Sequence, residues 1–284
     1  LLIKKIHIFV KRAWIRSSSF LYWYLYTIIV LTNKYMEFKL PTETIDLPSK
    51  GLIYPEGNPL STGTIEMKYM TAREEDILTN QAYIQNGTVI DRLLKSLVVS
   101  KINFDDLIIG DKNAIMIAAR VLGYGKDYTF NYQGKSYTVD LSEIEPKPLD
   151  ENQFTRGVNS FPFTLPTTGA NIEFKILTHA DEKKITQELQ ALKKLNAEAS
   201  PESSTRLKHM IVSVDGNTDQ KSIREFVDNY MLAKDARAFR EYVKEFQPDV
   251  DLTFFPERSE SRVDIPIGLS FFWPDAWKFN TTKS

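Results

Sequence analysis

The alternation of apolar and polar residues is clearest in two stretches, and each is a version of the other. Residues 63–78 read GTIEMKYMTAREEDIL, with Met67 and Tyr69 alternating against Glu66 and Lys68 as in a half-buried strand. Residues 170–185 read ANIEFKILTHADEKKI and align with them without a gap. Ile65/Ile172, Glu66/Glu173, Lys68/Lys175, Thr71/Thr178 and Glu75/Glu182 are identical. Thr71 followed by Glu74 is a capping box, in which each side chain can satisfy a backbone N–H left open at a helix start. Thr178 with Asp181 is a weaker version of the same box. Glu74, Glu75 and Asp76 then occupy the first turn, where the helix dipole favours carboxylates. The pattern is a strand running into a capped helix, stated twice.

Around the first junction the pattern predicts a helix over 72–85, closed by Asn86-Gly87, and a second opening at Thr88 with Leu93, Leu94, Leu97 and Val98 as its apolar stripe. A third helix, 112–122, is expected to be capped by Asp111, and a hairpin follows at 127–132 and 136–141. Around the second junction the expectations are strands at 161–166 and 170–177. Helices follow at 181–195, 205–213, 220–232 (capped by Asp219) and 236–246 (capped by Asp235). A closing hairpin is expected at 250–255 and 262–273. A second gapless alignment joins 111–130 to 235–254, matching Asp111/Asp235, Ala114/Ala238, Asp127/Asp251, Thr129/Thr253 and Phe130/Phe254. Two segments repeated in the same order imply a tandem duplication. The expected fold class is mixed α+β: two tandem, diverged strand–three-helix–β-hairpin units with small antiparallel sheets. The expected divisions are 1–35, a leader; 36–62, an extended Pro/Gly-rich arm; 63–145, the first unit; 146–160, a linker; and 161–284, the second unit with an aromatic C-terminal tail.

Composition narrows the chemistry. No cysteine is present, which excludes disulfides, thiol catalysis and Cys-ligated metal. The net charge of −1 conceals an asymmetry: residues 1–35 carry six Lys/Arg and no acid, so the other 249 residues carry a net −7. That balance argues against nucleic acid as a partner. The leader is aromatic and apolar with interleaved basic residues, but its run at 20–31 is shorter than the roughly 20 residues a membrane span needs. Met36 opens a well-patterned stretch, MEFKLPTETIDLPSKG, so translation is expected to begin there and 1–35 to be upstream sequence. The competing reading is a membrane-associated adaptor tethered by these 35 residues.

Few residues suggest catalysis. His179 with Asp181 and Glu182 (HADE) has the residue types of a metal or acid/base cluster, but it sits in a first helical turn where acids serve the dipole, and the other repeat has Ala72 there. His209 beside Arg206 and Lys208 reads as a solvated helix face. Asp105-Asp106 and Asp249/Asp251 lie at element boundaries, where capping accounts for them. No nucleotide-binding loop or nucleophile elbow is present. The expectation is no enzyme, no catalytic or metal residue, no cofactor and no small-molecule substrate.

What remains is apolar potential. Leu47, Leu52, Ile53 and Tyr54 in the arm, and Phe272, Trp273, Trp277 and Phe279 at the C-terminal end, are the candidate protein-interface residues. The repeat also allows one chain to fill two equivalent positions in a ring.

The stretches LPSKGLIYPEG, GTIEMKYMTAREEDIL, GDKNAIMIAARVLGYG and PIGLSFFWPDA together resemble the baseplate protein family of T-even-type contractile-tailed bacteriophages, described as baseplate hub subunits or hub assembly proteins. The resemblance covers about residues 36–277. It implies a non-enzymatic role in building the hub at the tail tip, with other baseplate and tail proteins as partners. The implied location is the virion tail baseplate, and the host cytoplasm during assembly.

Overall fold

The computed structural model describes residues 40–195, 201–256 and 262–272, and from Pro41 onward these belong to one compact unit. The class is α+β, and the described residues form four small sheets that are antiparallel throughout. In the first repeat, β1 (Thr42–Asp46) pairs with β2 (Thr64–Lys68), Ile45 facing Ile65. β2 buries Ile65 and Met67 and exposes Glu66, the alternation read from the sequence. It leads into α1 (Ala72–Thr79) through the Thr71–Glu74 capping box. The helix expected over 72–85 is two helices. The Asn80 side chain accepts from the Tyr83 N–H and starts α2 (Gln81–Gln85), because a short amide side chain satisfies a new helix start better than it fits a helix interior. Then come α3 (Val89–Leu97), α4 (Ile109–Tyr124) and a hairpin of β3 (Asp127–Tyr132) and β4 (Lys135–Asp140).

The second repeat has a three-stranded sheet of β5 (Phe161–Thr164), β6 (Asn171–Phe174) and β7 (Ile211–Val214), with β6 central. Its helices are α5 (His179–Leu195), α6 (Glu202–Met210), α7 (Gln220–Asn229) and α8 (Ala233–Phe246), followed by the short pair β8 (Thr253–Phe254) and β9 (Val263–Asp264). The helix expected over 205–213 stops at Met210, since Ile211, Val212 and Val214 are β-branched and the strand they open pairs with β6 through Ile211, Ser213 and Val214. The first repeat keeps only a trace of that third strand: Val98 bridges Met67 where Ile211 faces Phe174, and the Val99 N–H donates to the Glu66 carbonyl at 2.8 Å.

The duplication extends further back than the two aligned stretches. β1 ends in Leu47-Pro48-Ser49-Lys50-Gly51 and β5 in Leu165-Pro166-Thr167-Thr168-Gly169, each turn closing on a left-handed glycine, Gly51 at φ 76° and Gly169 at φ 72°. Any side chain at 51 would also press against the Ser61 carbonyl oxygen, 2.5 Å from a Cβ built there. In the second repeat β6 follows the turn at once, whereas the first inserts residues 52–62. Residues 41–51, expected as part of an extended arm, are thus a strand and turn of the first repeat.

The aromatic residues fill the interior. Phe161, Phe174, Phe239 and Phe246 interlock in the second repeat, with Phe174 and Phe246 centroids 5.6 Å apart. Phe174 and Phe239 are fully buried, each contributing up to roughly 3 kcal/mol relative to an exposed position. Tyr128, Phe130, Phe254 and Phe271 connect the first repeat to the end of the described chain.

Candidate functional site

Each strand–helix junction is held by one carboxylate that serves the lysine, the threonine N–H and the threonine hydroxyl of that junction, and Glu74 takes the Ser96 hydroxyl at 2.6 Å as well. In the first repeat Glu74 accepts from the Lys68 ammonium at 2.9 Å, from the Thr71 N–H at 3.0 Å and from the Thr71 hydroxyl. In the second, Asp181 accepts from Lys175 at 2.7 Å, the Thr178 N–H at 3.2 Å and the Thr178 hydroxyl at 3.1 Å. Burial acts to raise both acids, but the ammonium and hydroxyl donors outweigh it: Glu74 is held down at about 2, and Asp181 is also lowered.

A second pair of carboxylates holds the turns. Asp111 and Asp235 were expected to be helix caps. Instead the caps are Ile108 and Leu232, both extended, and each aspartate is the third residue of its helix and fully buried. From there each reaches the Leu-Pro turn of its own repeat. Asp111 accepts from the Ser49 N–H at 2.9 Å, the Ser49 hydroxyl at 2.7 Å and the Tyr54 hydroxyl at 2.6 Å. Asp235 accepts from the backbone N–H groups of Thr167 at 2.7 Å and Thr168 at 3.1 Å. Burial leaves Asp111 raised despite its donors, whereas at Asp235 the side-chain and amide hydrogen bonds from Thr167 and Thr168 outweigh burial and bring it below the usual range.

The repeats meet along a seam. The segment before α4 docks on the junction before α5: Ile108 bridges Thr178, and the His179 N–H, an open donor at the start of α5, donates to the Leu107 carbonyl at 2.7 Å. Gly110 lets the Pro248 carbonyl oxygen come within 1.9 Å of where a Cβ would stand. Buried beside this bridge, the His179 ring has Nε2 3.0 Å from Asp91 and Nδ1 3.3 Å from the Lys112 ammonium, which itself pairs with Asp91 at 2.7 Å. A lysine can only donate, so Nδ1 is the acceptor toward Lys112, while Nε2 lies 3.0 Å from Asp91 without the alignment of a hydrogen bond. Lys183 pairs with Asp105, and Asn113 donates to Asp249 at 3.0 Å.

These contacts account for the residues whose types suggested chemistry. His179 and Asp181 serve the seam and the junction, and Glu182 takes Arg206 in a bidentate pair at 2.5 and 2.9 Å. Among the described residues no His/Cys/Asp/Glu group is placed to hold a metal ion. His209, expected on a solvated face, contacts Glu188 at 2.9 Å; Glu188 also takes Arg224 bidentately, so one carboxylate joins α5, α6 and α7. Asp106 accepts from Asn58 at 3.0 Å and Asn103 at 2.9 Å, and Asp251 pairs with Arg262 at 3.0 Å. A cavity of about 470 Å³ opens at the seam beside Tyr54, Asp106 and Lys175, all three engaged in the contacts above.

The candidate interface residues divide. Leu47, Ile53 and Tyr54 are buried and Leu52 half-buried in the chain's own core, where they hold the turn and the insertion, so they offer little surface to a partner. Phe272 is fully buried as well. Trp273, Trp277, Phe279 and the leader 1–35 lie outside the described residues. Among the described residues no helix is long and apolar enough to cross a membrane. Sequence reasoning missed Arg120, which is 1% exposed and donates to the carbonyls of Phe271 at 3.0 Å, Gly125 at 2.8 Å and Asp127 at 3.1 Å. Its place in an otherwise apolar helical run, AIMIAARVL, was the available signal.

Compared with models of known protein families, with curated proteins and with solved structures, the chain has no significant match.

Proposed function

We propose that the chain is a non-enzymatic bacteriophage tail protein, a baseplate hub subunit or hub assembly factor that works through protein–protein contacts. The phage assignment rests on the motif resemblance. What supports a scaffolding role is the use made of the polar groups: Glu74, Asp181, Asp111, Asp235 and His179 each tie one segment of this chain to another. Carboxylates so fully engaged give a rigid body with fixed faces, which suits a part in an assembly.

The test is mass spectrometry of purified contractile-tailed particles and of infected cells, scored for peptides from residues 41–272. Presence in particles makes the chain a hub subunit. Presence in infected cells but not in particles makes it an assembly factor. If the chain forms no complex with any tail or baseplate protein in infected cells, the reading fails.

A further inference from the structure

The seam is one-sided, and its unused halves remain on the surface. By the alignment of 111–130 with 235–254, the docking residues Leu107 and Ile108 correspond to Met231 and Leu232. The cap geometry agrees: Ile108 has φ −73° and ψ 158°, Leu232 φ −64° and ψ 145°. Leu107 and Ile108 are fully buried against the second repeat, yet Leu232 is 47% and Tyr230 62% exposed, with Met231 between them half-buried against the core. On the receiving side, Thr178 and His179 correspond to Thr71 and Ala72. Ala72 is exposed, and its N–H, the counterpart of the one His179 gives to Leu107, has no acceptor among the described residues.

We propose that Tyr230–Leu232 of one molecule docks on the Thr71–Ala72 junction of a second copy, repeating between chains the contact made within one. The Ala72 N–H would donate to the Met231 carbonyl, and Leu232 would lie opposite Thr71. Because the donating and receiving surfaces differ, the contact is head-to-tail and gives a ring if the rotation closes or a filament if it does not. The charge balance favours it: beside the receiving junction Glu75 and Asp76 outnumber the one exposed cation, Arg73, and Lys234 is exposed beside the docking loop. The contact is weaker than the internal seam. Lys234 stands where Gly110 permits close approach, and Ala72 replaces the His179 that binds Asp91 and Lys112. This contact stands on the internal geometry alone and does not depend on the phage reading.

The absence of native cysteine makes the test clean. The double variant Ala72→Cys/Leu232→Cys, treated with a short bismaleimide, should give a ladder of dimers, trimers and higher species. Mixing the two single variants should give only the heterodimer, and each single variant alone should stay monomeric. In sedimentation velocity on the full chain, Leu232→Asp should weaken self-association about tenfold or more. Both positions are exposed, so unchanged thermal melts would show that the fold is intact. Crosslinking of Leu232→Cys with itself would overturn the head-to-tail geometry. A chain that stays monomeric at its highest soluble concentration, with no ladder, would overturn the proposal.

Discussion

The two repeats use the same backbone plan and satisfy it with different chemistry. In the second, Asp235 holds its turn through two backbone amides. In the first, Asp111 holds the equivalent turn through one amide and two hydroxyls, one of them from Tyr54 in the inserted residues 52–62. Backbone amides can only donate, so Asp235 has to be an acceptor at both oxygens. Hydroxyls can reverse and accept, so Asp111 tolerates a neutral form. The two acids are shifted in opposite directions: at Asp111 burial prevails over the donors and raises it, and at Asp235 the hydrogen bonds from Thr167 and Thr168 prevail over burial and lower it. A repeated fold position therefore fixes where a polar group sits, and the neighbouring chain decides its protonation.

The largest contrast is at the position of Arg120. Its counterpart in the second repeat, Lys244, is exposed, whereas Arg120 is buried and anchors the Phe271 carbonyl to the first repeat. Arg120→Ala should destabilise by about 3–5 kcal/mol in chemical denaturation, since it empties a buried site and orphans three carbonyls. Lys244→Ala should cost under about 0.5 kcal/mol. Equal effects would break the comparison.

The two turn-holding acids give the next effect. Asp235→Asn places an NH2 group against a backbone N–H and should cost about 2–3 kcal/mol. Asp111→Asn can receive the hydroxyls as acceptors and should cost about 1 kcal/mol. The reverse order, measured in urea, would contradict the reading of their donors.

The smallest effect is in acid. Glu74 and Asp181 are lowered in the folded state, so the stability they add is full above their ordinary values and is lost as pH falls through the folded ones, for Glu74 from near 4.5 to about 2. Asp111, raised, acts the other way and adds stability at low pH. Glu74→Gln should flatten the fall in melting temperature between pH 4.5 and 2. A slope unchanged from the parent would remove Glu74 as a cause.

Much of this plan is legible in the residues. The 63–78 and 170–185 stretches gave β2, β6 and both capping boxes, because alternation and capping are local. The paired Leu-Pro turns were not recognised, since residues 52–62 separate the first turn from its second strand and break the alignment. Asp111 and Asp235 were assigned as caps on residue type, but only tertiary structure shows a carboxylate reaching back to a turn about 60 residues earlier in sequence. His179 and Arg120 were illegible for the same reason: their partners come from the other repeat or from the far end of the chain.

The account's central claim is that each repeat is closed by its own carboxylate. Hydrogen exchange followed by mass spectrometry on Asp111→Ala and Asp235→Ala tests it most directly. The account predicts faster exchange at 49–51 in the first variant, with 167–169 still protected, and the converse in the second. Loss of protection at both turns from either substitution, or at neither, would contradict it.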